Sequence, residues 1–385
     1  MPCIIAGQRK FTDLGGLDLN QQLECPHDPY LQEDLERIAA CPIAWERLNH
    51  RTVLITGATG LIGRQLVLAI LAANRILGYS IRIIALVRSM EKAYQSFRNL
   101  MHRNELNIII GDVTRPICLD RPVDYIIHAA SITSSKDFVT APVNVIEVSL
   151  NGTKNLLEAA KEQKCKSVVF LSSMEVYGTV VSDNDRRVAE DELGYIDLSS
   201  VRSCYSESKR MCENMCVCYS TQYGVPAKIA RLAQTFGAGV SPNDNRVFAQ
   251  FAKAAIAGED IVLHTRGKSS GNYCYTADAL SGLLTILLNG KNAEAYNVVS
   301  ERASTTIAQM AQKVSEHFTG GRSRVIFDIP DNALAYGYAP DVELRLSSKK
   351  LEELGWSPCI APSLETMYER LIASFQAQSN SESEM

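Results

Sequence analysis

Several marks of specialised proteins are missing from this chain. No apolar run among its 385 residues reaches the roughly 18 residues that a membrane-spanning helix needs. The first residues, MPCIIAGQRKFTD, have no long apolar stretch behind a basic start, so they do not read as a secretory signal and the expected compartment is the cytosol. Neither charge dominates. The 39 Lys and Arg face 43 Asp and Glu, a net charge of -4, which argues against nucleic acid or an anionic membrane as the main partner. There are 11 Cys, an odd number in a chain without a signal, which reads as reduced thiols rather than a disulfide framework. No internal repeat is visible. The composition, 46% hydrophobic and 21% charged, is that of a globular protein, and the length allows a large core in two lobes.

What is present is concentrated first in VLITGATGLIG, residues 53–63. Branched apolar residues read as a buried parallel strand, and Gly57, Gly60 and Gly63 punctuate a turn before the apolar helix pattern LIGRQLVLAILAANRIL. Strand, glycine turn and helix together place a pyrophosphate on a helix N-terminus. Gly57 allows the sharp turn, Gly60 the close approach of backbone to phosphate, and Gly63 the close packing of helix on strand.

The pattern then alternates. Strands are expected at 51–56, 81–87, 106–112, 123–130, 167–173 and 227–232, with helices at 61–77, 90–99, 143–163 and 204–223. Short apolar strands alternating with helices predict an α/β fold, a doubly wound parallel sheet of Rossmann type with a smaller C-terminal substrate lobe. The expected divisions are an extension over 1–48 with a helix at 31–40, a dinucleotide-binding domain over 49–235, and a substrate lobe over 236–375. The stretch 179–200 reads as an excursion to that lobe. The lobe has helices near 278–288 and 306–318 around the strand AYNVVS, and Trp356 reads as part of its core. The polar tail 376–385 is expected to be disordered.

Ligands of open α/β sheets sit beyond the carboxyl ends of the strands. Three polar clusters fall there: residues 57–63, Asp112 in GDVT, and LSSMEVYG at 171–178. Asp112 can accept from an adenine amine or cap a turn. The following helix carries YSESK, with Tyr205 and Lys209 four apart on one face. An ammonium beside a phenol favours the phenolate, which can take a proton from a sugar hydroxyl as hydride leaves the same carbon. Ser173 at the strand end can hydrogen-bond that oxygen. An exposed pair on an amphipathic helix is the alternative. Cys212 and Cys216 share a helix face near Cys218, but zinc wants four ligands and no His is near, so no metal is expected.

TGATGLIG, GDVT, HAAS, LSSMEVYG, YSESK and RLAQTFGAG occur in that order. From about Arg51 to Trp356 the chain resembles the extended short-chain dehydrogenase/reductase family, the NAD(P)-dependent nucleotide-sugar epimerases, dehydratases and decarboxylases. The resemblance implies a tightly bound NAD or NADP and a catalytic triad of Ser173, Tyr205 and Lys209. It implies cofactor contacts at Gly57, Thr59, Gly60, Leu61, Ile62, Gly63, Arg88, Asp112, Val113, Ala129, Ala130 and Ser131, besides Tyr205 and Lys209. Substrate contacts would fall on Ser131, Glu175 and Arg246. A homodimer through the helices 143–163 and 204–223 is implied too.

Within the family, RSCYSESKRMCENM and NDNRVFAQFAKAAIAGEDIVLH are similar to UDP-glucuronate decarboxylases, and LSSMEVYG to dTDP-glucose 4,6-dehydratases. Two positions depart. Met174 stands where dehydratases carry an acid and decarboxylases a hydroxyl. Gly271 stands where decarboxylases carry an arginine for substrate phosphate or carboxylate, leaving Arg246, Arg266 and Lys268 as candidate replacements. Glu175 can remove a proton next to a transient ketone. Arg88, where NAD enzymes place an acid, tilts towards NADP, while the most similar enzymes mostly hold NAD. The leading expectation is a nucleotide-sugar epimerase/dehydratase working through a keto-sugar, with epimerisation first. Decarboxylation or 4,6-dehydration, a net NAD(P)H-dependent sugar oxidoreductase, and a non-catalytic dinucleotide sensor are the alternatives.

Overall fold

The structure, a computed structural model, describes residues 23–180, 186–330 and 342–383. In its first half α1 (Pro29–Ala40) precedes β1 (Thr52–Thr56), α2 (Leu61–Leu77), β2 (Arg82–Val87), α3 (Met90–Phe97), β3 (Leu106–Ile110) and β4 (Tyr125–His128). There follow α4 (Asp137–Thr140), α5 (Pro142–Glu162), β5 (Ser167–Ser173), α6 (Ser203–Tyr223) and β6 (Ala227–Leu232). The rest comprises β7 (Gln234–Phe236), α7 (Val247–Ala257), β8 (Ile261–Leu263), β9 (Ser270–Tyr275), α8 (Thr276–Asn289), β10 (Ala295–Val298) and β11 (Ser300–Thr306). Last come α9 (Ile307–Thr319), β12 (Val325–Phe327), β13 (Glu343–Leu344), α10 (Lys349–Glu352) and α11 (Leu364–Ser383).

Seven strands form one sheet in the order β10-β6-β5-β4-β1-β2-β3, and every pairing in it is parallel. All five residues of β1 are buried. Such continuous apolar strands are stable only when both sheet faces are covered. Val53 and Ile55 face the cluster that holds α1, α2 and α8, through Leu35, Leu66, Ile70 and Leu284. Leu54 faces the opposite cluster, with Leu156 and Leu157 of α5 and Cys212 and Cys216 of α6. The strand order reverses between β1 and β4, which opens the crevice where ligands of such sheets bind.

A second, smaller sheet runs β11-β9-β13, with β7 also paired to β9. A cluster of Val176, Tyr177, Val188, Leu344 and Leu346 joins it to the turn that follows β5. Val188, in the stretch expected to leave the first domain, bridges to Leu346 beside β13; residues 181–185 of that stretch lie outside the described residues. Trp356 is buried in the main core, where its ring N–H donates to the Asp278 carbonyl and the Ser281 hydroxyl.

Three observations bear on the expected divisions. The division at residue 235 is crossed: β10 pairs with β6, Asn297 opposite Arg231, and so belongs to the large sheet. The short run AYNV covers what would be an exposed strand edge, and periodicity alone does not say which edge a strand will cover. The tail from Gln376 is not a disordered end as far as Ser383, because α11 continues through it. Gln378 donates to the Asp28 carboxylate and the Val240 carbonyl, contacts from distant parts of the chain that polar composition does not reveal. The extension has a packing role over its described part. Leu31, Leu35 and Ile38 of α1 are buried in the main core, and Glu24 pairs with Arg75 of α2. Residues 1–22 lie outside the described residues. Among the described residues no helix is long and apolar enough to cross a membrane.

Candidate functional site

The glycine turn sits at the crevice. Gly57 has φ of +65°, and a Cβ there would lie 2.7 Å from the Ala130 nitrogen, so the turn after β1 is pressed against the end of β4. A Cβ on Gly63 would come within 2.3 Å of the Gly57 carbonyl oxygen, which ties the first turn of α2 to the same loop. Gly60 is the N-cap of the 17-residue α2 and provides no side-chain cap. The N–H groups of Leu61, Ile62 and Gly63 thus begin a helix whose N-terminal donors lack an acceptor from the capping side chain. The absence of a side chain at Gly60, where a Cβ would lie 3.3 Å from the Gly57 carbonyl oxygen, the N-terminal N–H groups and the helix dipole fit a dinucleotide pyrophosphate. Thr59 lies half-buried in the same loop.

The adenine end is less settled than the phosphate end. Asp112 gives one carboxylate oxygen to the Thr114 N–H and hydroxyl, both at 2.9 Å. These hydrogen bonds hold its carboxyl below the usual carboxylate range, with the Arg88 charge adding to them. The turn-capping role is therefore present, and the contact with Arg88 brings together the ends of β2 and β3. Val113 is buried beneath this turn against Gly152 of α5.

At the end of β4, Ala129, Ala130 and Ser131 follow His128. The Thr56 hydroxyl accepts from the Ala130 N–H and shares a 2.7 Å hydrogen bond with His128 Nδ1. Burial, with Lys209 adding to it, pushes the His128 ring down to about 3 from an ordinary 6.5. Between those values the unfolded chain takes up a proton that the folded chain refuses, so stability falls as pH drops through that window. His128→Gln is expected to flatten this acid limb by up to one proton, about 1.4 kcal/mol per pH unit, in denaturant midpoints measured from pH 6.5 downwards.

The candidate catalytic groups lie around the end of β5. The Ser173 hydroxyl caps the 3₁₀ turn Met174–Tyr177 by accepting from the Glu175 N–H at 3.2 Å, and it lies close enough to the Tyr205 phenol to favour its ionised form. Tyr205 is buried, stacked on Phe138 with ring centroids 4.4 Å apart and planes 13° apart. Burial pushes its phenol well above the ordinary value and the nearby Glu175 carboxylate pushes it further, against the pull of Ser173 and Arg202. Lys209 shares the helix face with Tyr205: its Nζ donates to the Leu171 carbonyl at 2.7 Å and lies 5.8 Å from the Tyr205 ring centroid. Burial brings Lys209 itself down to about 8.

Glu175 is not a free carboxylate. Arg202 Nη1 donates to one of its oxygens at 2.8 Å and Nη2 to the other at 3.3 Å. Neither Arg202 nor Phe138 was singled out from the sequence. The signal available was position alone, since Arg202 stands three residues ahead of Tyr205. Met174 packs against the small cluster beside Tyr177. Arg246 is paired with Asp244 at 2.6 Å and lies over Phe248. Gly271 has open space, since a Cβ there would meet only the Leu344 carbonyl oxygen at 3.6 Å. A polar cavity of about 470 Å3 next to it is lined by Lys268, Ser270, Arg187 and Arg345, and not by Arg266. Among the described residues no group of three or more His, Cys, Asp or Glu could hold a metal ion. Cys212 instead donates to the Ser149 carbonyl between α5 and α6.

Comparison with known proteins follows the same lines. Residues 53–299 match the model of the NAD dependent epimerase/dehydratase family. The chain is 28% identical over 365 residues to UDP-glucuronic acid decarboxylase 1 of Danio rerio, covering 92% of this chain and 82% of that protein. It is 27% identical over 307 residues to UDP-glucuronic acid decarboxylase 3 of Arabidopsis thaliana, covering 80% and 84%. Among solved structures, UDP-glucose 4-epimerase from Thermotoga maritima superposes with a TM-score of 0.68 at 21% identity, over 83% of this chain and 98% of that one. A dTDP-glucose 4,6-dehydratase from Streptomyces venezuelae, solved with NAD, gives 0.68 at 21% identity over 86% and 98%. These two likenesses show the fold.

Proposed function

The chain belongs to the NAD dependent epimerase/dehydratase family, and from that premise we propose that it converts a nucleotide sugar through a transient keto-sugar, with NAD held at the glycine turn and recycled in place. The observation that carries this reading is the group at the end of β5. Tyr205 is buried and stacked on Phe138, Ser173 and Glu175 share the capped turn after β5, and both are close enough to act on the phenol's ionisation.

Tyr205 takes the proton of a sugar hydroxyl while Ser173 orients that oxygen. Bound at the glycine turn, NAD would supply the hydride acceptor and a positive charge that favours the Tyr205 phenolate. Lys209 has one N–H on Leu171 and two more to give, which leaves donors for the ribose hydroxyls and its charge near Tyr205. Glu175 removes the proton from the carbon next to the ketone. Lys268, Arg187 and Arg345 supply positive charge beside Gly271, where it would meet the anionic part of the substrate. Arg88, with no carboxylate of its own at the end of β2, leaves room for NADP; the family supports NAD.

Epimerisation next to the ketone is one outcome of this chemistry. A second is decarboxylation of a nucleotide-linked uronic acid, which the curated relatives favour as strongly over most of the chain. Met174 lacks the acid that dehydration would want. The protein is read as a homodimer through α5 and α6, whose outer faces leave Val143, Ile146 and Met211 exposed.

The test is conversion of UDP-glucuronic acid, UDP-glucose and dTDP-glucose in deuterated water, followed by NMR and mass spectrometry. Epimerisation gives an isomer carrying solvent deuterium next to the transient ketone, and decarboxylation gives a pentose with loss of CO2. No conversion of any of the three, with no nucleotide sugar co-purifying, would count against the reading.

A further inference from the structure

Glu175 lies on the turn after β5, Tyr205 lies on α6, and a single side chain joins them. Arg202 is the residue just before α6. Its fork meets both oxygens of Glu175, at 2.8 and 3.3 Å. Its guanidinium carbon lies 5.4 Å from the centroid of Phe138, the ring on which Tyr205 is stacked. One turn into the helix, the Ser206 hydroxyl adds a 3.4 Å contact to the Glu175 oxygen already held by Nη1.

We propose that Arg202 is a positioning residue for the reaction: it holds the Glu175 carboxylate oriented and at a set separation from the Tyr205 phenol. This rests on the keto-sugar reading above, in which the two groups act on neighbouring carbons of one sugar. The arrangement suits that role better than a stabilising one. The two side chains are 23% and 27% exposed, and partly exposed ion pairs contribute little to folding. Arg202 Nε is buried with no acceptor among the described residues, which works against stability. A bidentate fork removes the rotation of the carboxylate about its own bond, a restraint that a point charge does not impose. Because Arg202 is carried by the start of the helix that bears Tyr205, the restraint refers the base of one step to the base of the other.

The separation of the two half-reactions supplies the test. NAD-loaded full-length protein is given whichever of the three nucleotide sugars the wild type converts. Solvent deuterium entering next to the transient ketone reports Glu175, and reduced-nicotinamide absorbance reports the Tyr205 step. Arg202→Gln is expected to slow deuterium entry about a hundredfold while changing nicotinamide reduction by less than about threefold. Arg202→Lys, which keeps the charge without the fork, should fall between, and the thermal midpoint should stay near that of the wild type. Unchanged deuterium entry in Arg202→Gln would overturn the proposal. So would parallel loss of both half-reactions with a lowered midpoint, the mark of a structural role. Conversion by the wild type that survives Tyr205→Phe would bring down the keto-sugar reading and this inference with it, whereas the Arg202 outcomes leave that reading standing.

Discussion

Replacing Tyr205 by phenylalanine is expected to lower turnover about a thousandfold, within the range spanned by the removal of a general base. The change deletes one oxygen. The ring, its stacking on Phe138 and its burial are kept, so the thermal midpoint and the amount of NAD retained should change little. Ser173 would keep its bond from the Glu175 N–H. The pH profile carries a second readout. Burial and Glu175 both raise the phenol above its ordinary value, so the protein must recover that shift from positive charge brought by its ligands. Glu175→Gln removes one of the raising influences and should move the alkaline-rising limb of the profile to lower pH. Turnover of Tyr205→Phe within tenfold of wild type, measured on the same substrate, would exclude the phenol as the base.

The second large effect concerns stability. Arg231→Met is expected to destabilise the protein by about 3–5 kcal/mol, because it leaves a buried carboxylate without its cation. Arg231 of β6 gives Nε and Nη2 to Glu213 of α6, with side chains only 5% and 9% exposed. Its remaining Nη1 donates to the Tyr177 hydroxyl and the Glu190 carbonyl, and Tyr177 in turn donates to Asn297 of β10. The Ser172 hydroxyl completes the carboxylate. Five separate pieces of chain meet in this network, including the turn that carries Glu175. The midpoint of urea unfolding at unchanged slope measures the loss. The double replacement Arg231→Met with Glu213→Leu should regain much of it, since no charge is then left buried alone. A single variant as stable as wild type would mean that water reaches Glu213 and solvates it.

Local features of the sequence were read correctly where they depend on the chain's own geometry. The turn at Gly57 and Gly63 requires glycine because a Cβ would strike backbone, and that requirement shows in any sequence that makes the turn. The strands β1, β2, β5 and β6 are short branched runs between turn residues, and they fall where the periodicity puts them. The i,i+4 spacing of Tyr205 and Lys209 showed that they share a helix face, but not that the Lys209 ammonium donates to the Leu171 carbonyl, because spacing assigns a face and not a partner. Arg202 was passed over because nothing local marks it. Its partner is 27 residues away in sequence, and only the packing of α6 against the end of β5 brings the two together.

The sequence by itself determined the family, the parallel sheet and the glycine turn after β1, since each rests on contacts between residues near in the chain or on ordered motifs. The tertiary structure alone decided which edge β10 covers, why the polar tail remains helical as far as Ser383, and which cation serves Glu175. Those outcomes depend on long-range packing and on the competition of buried polar groups for partners, and no local pattern encodes that competition.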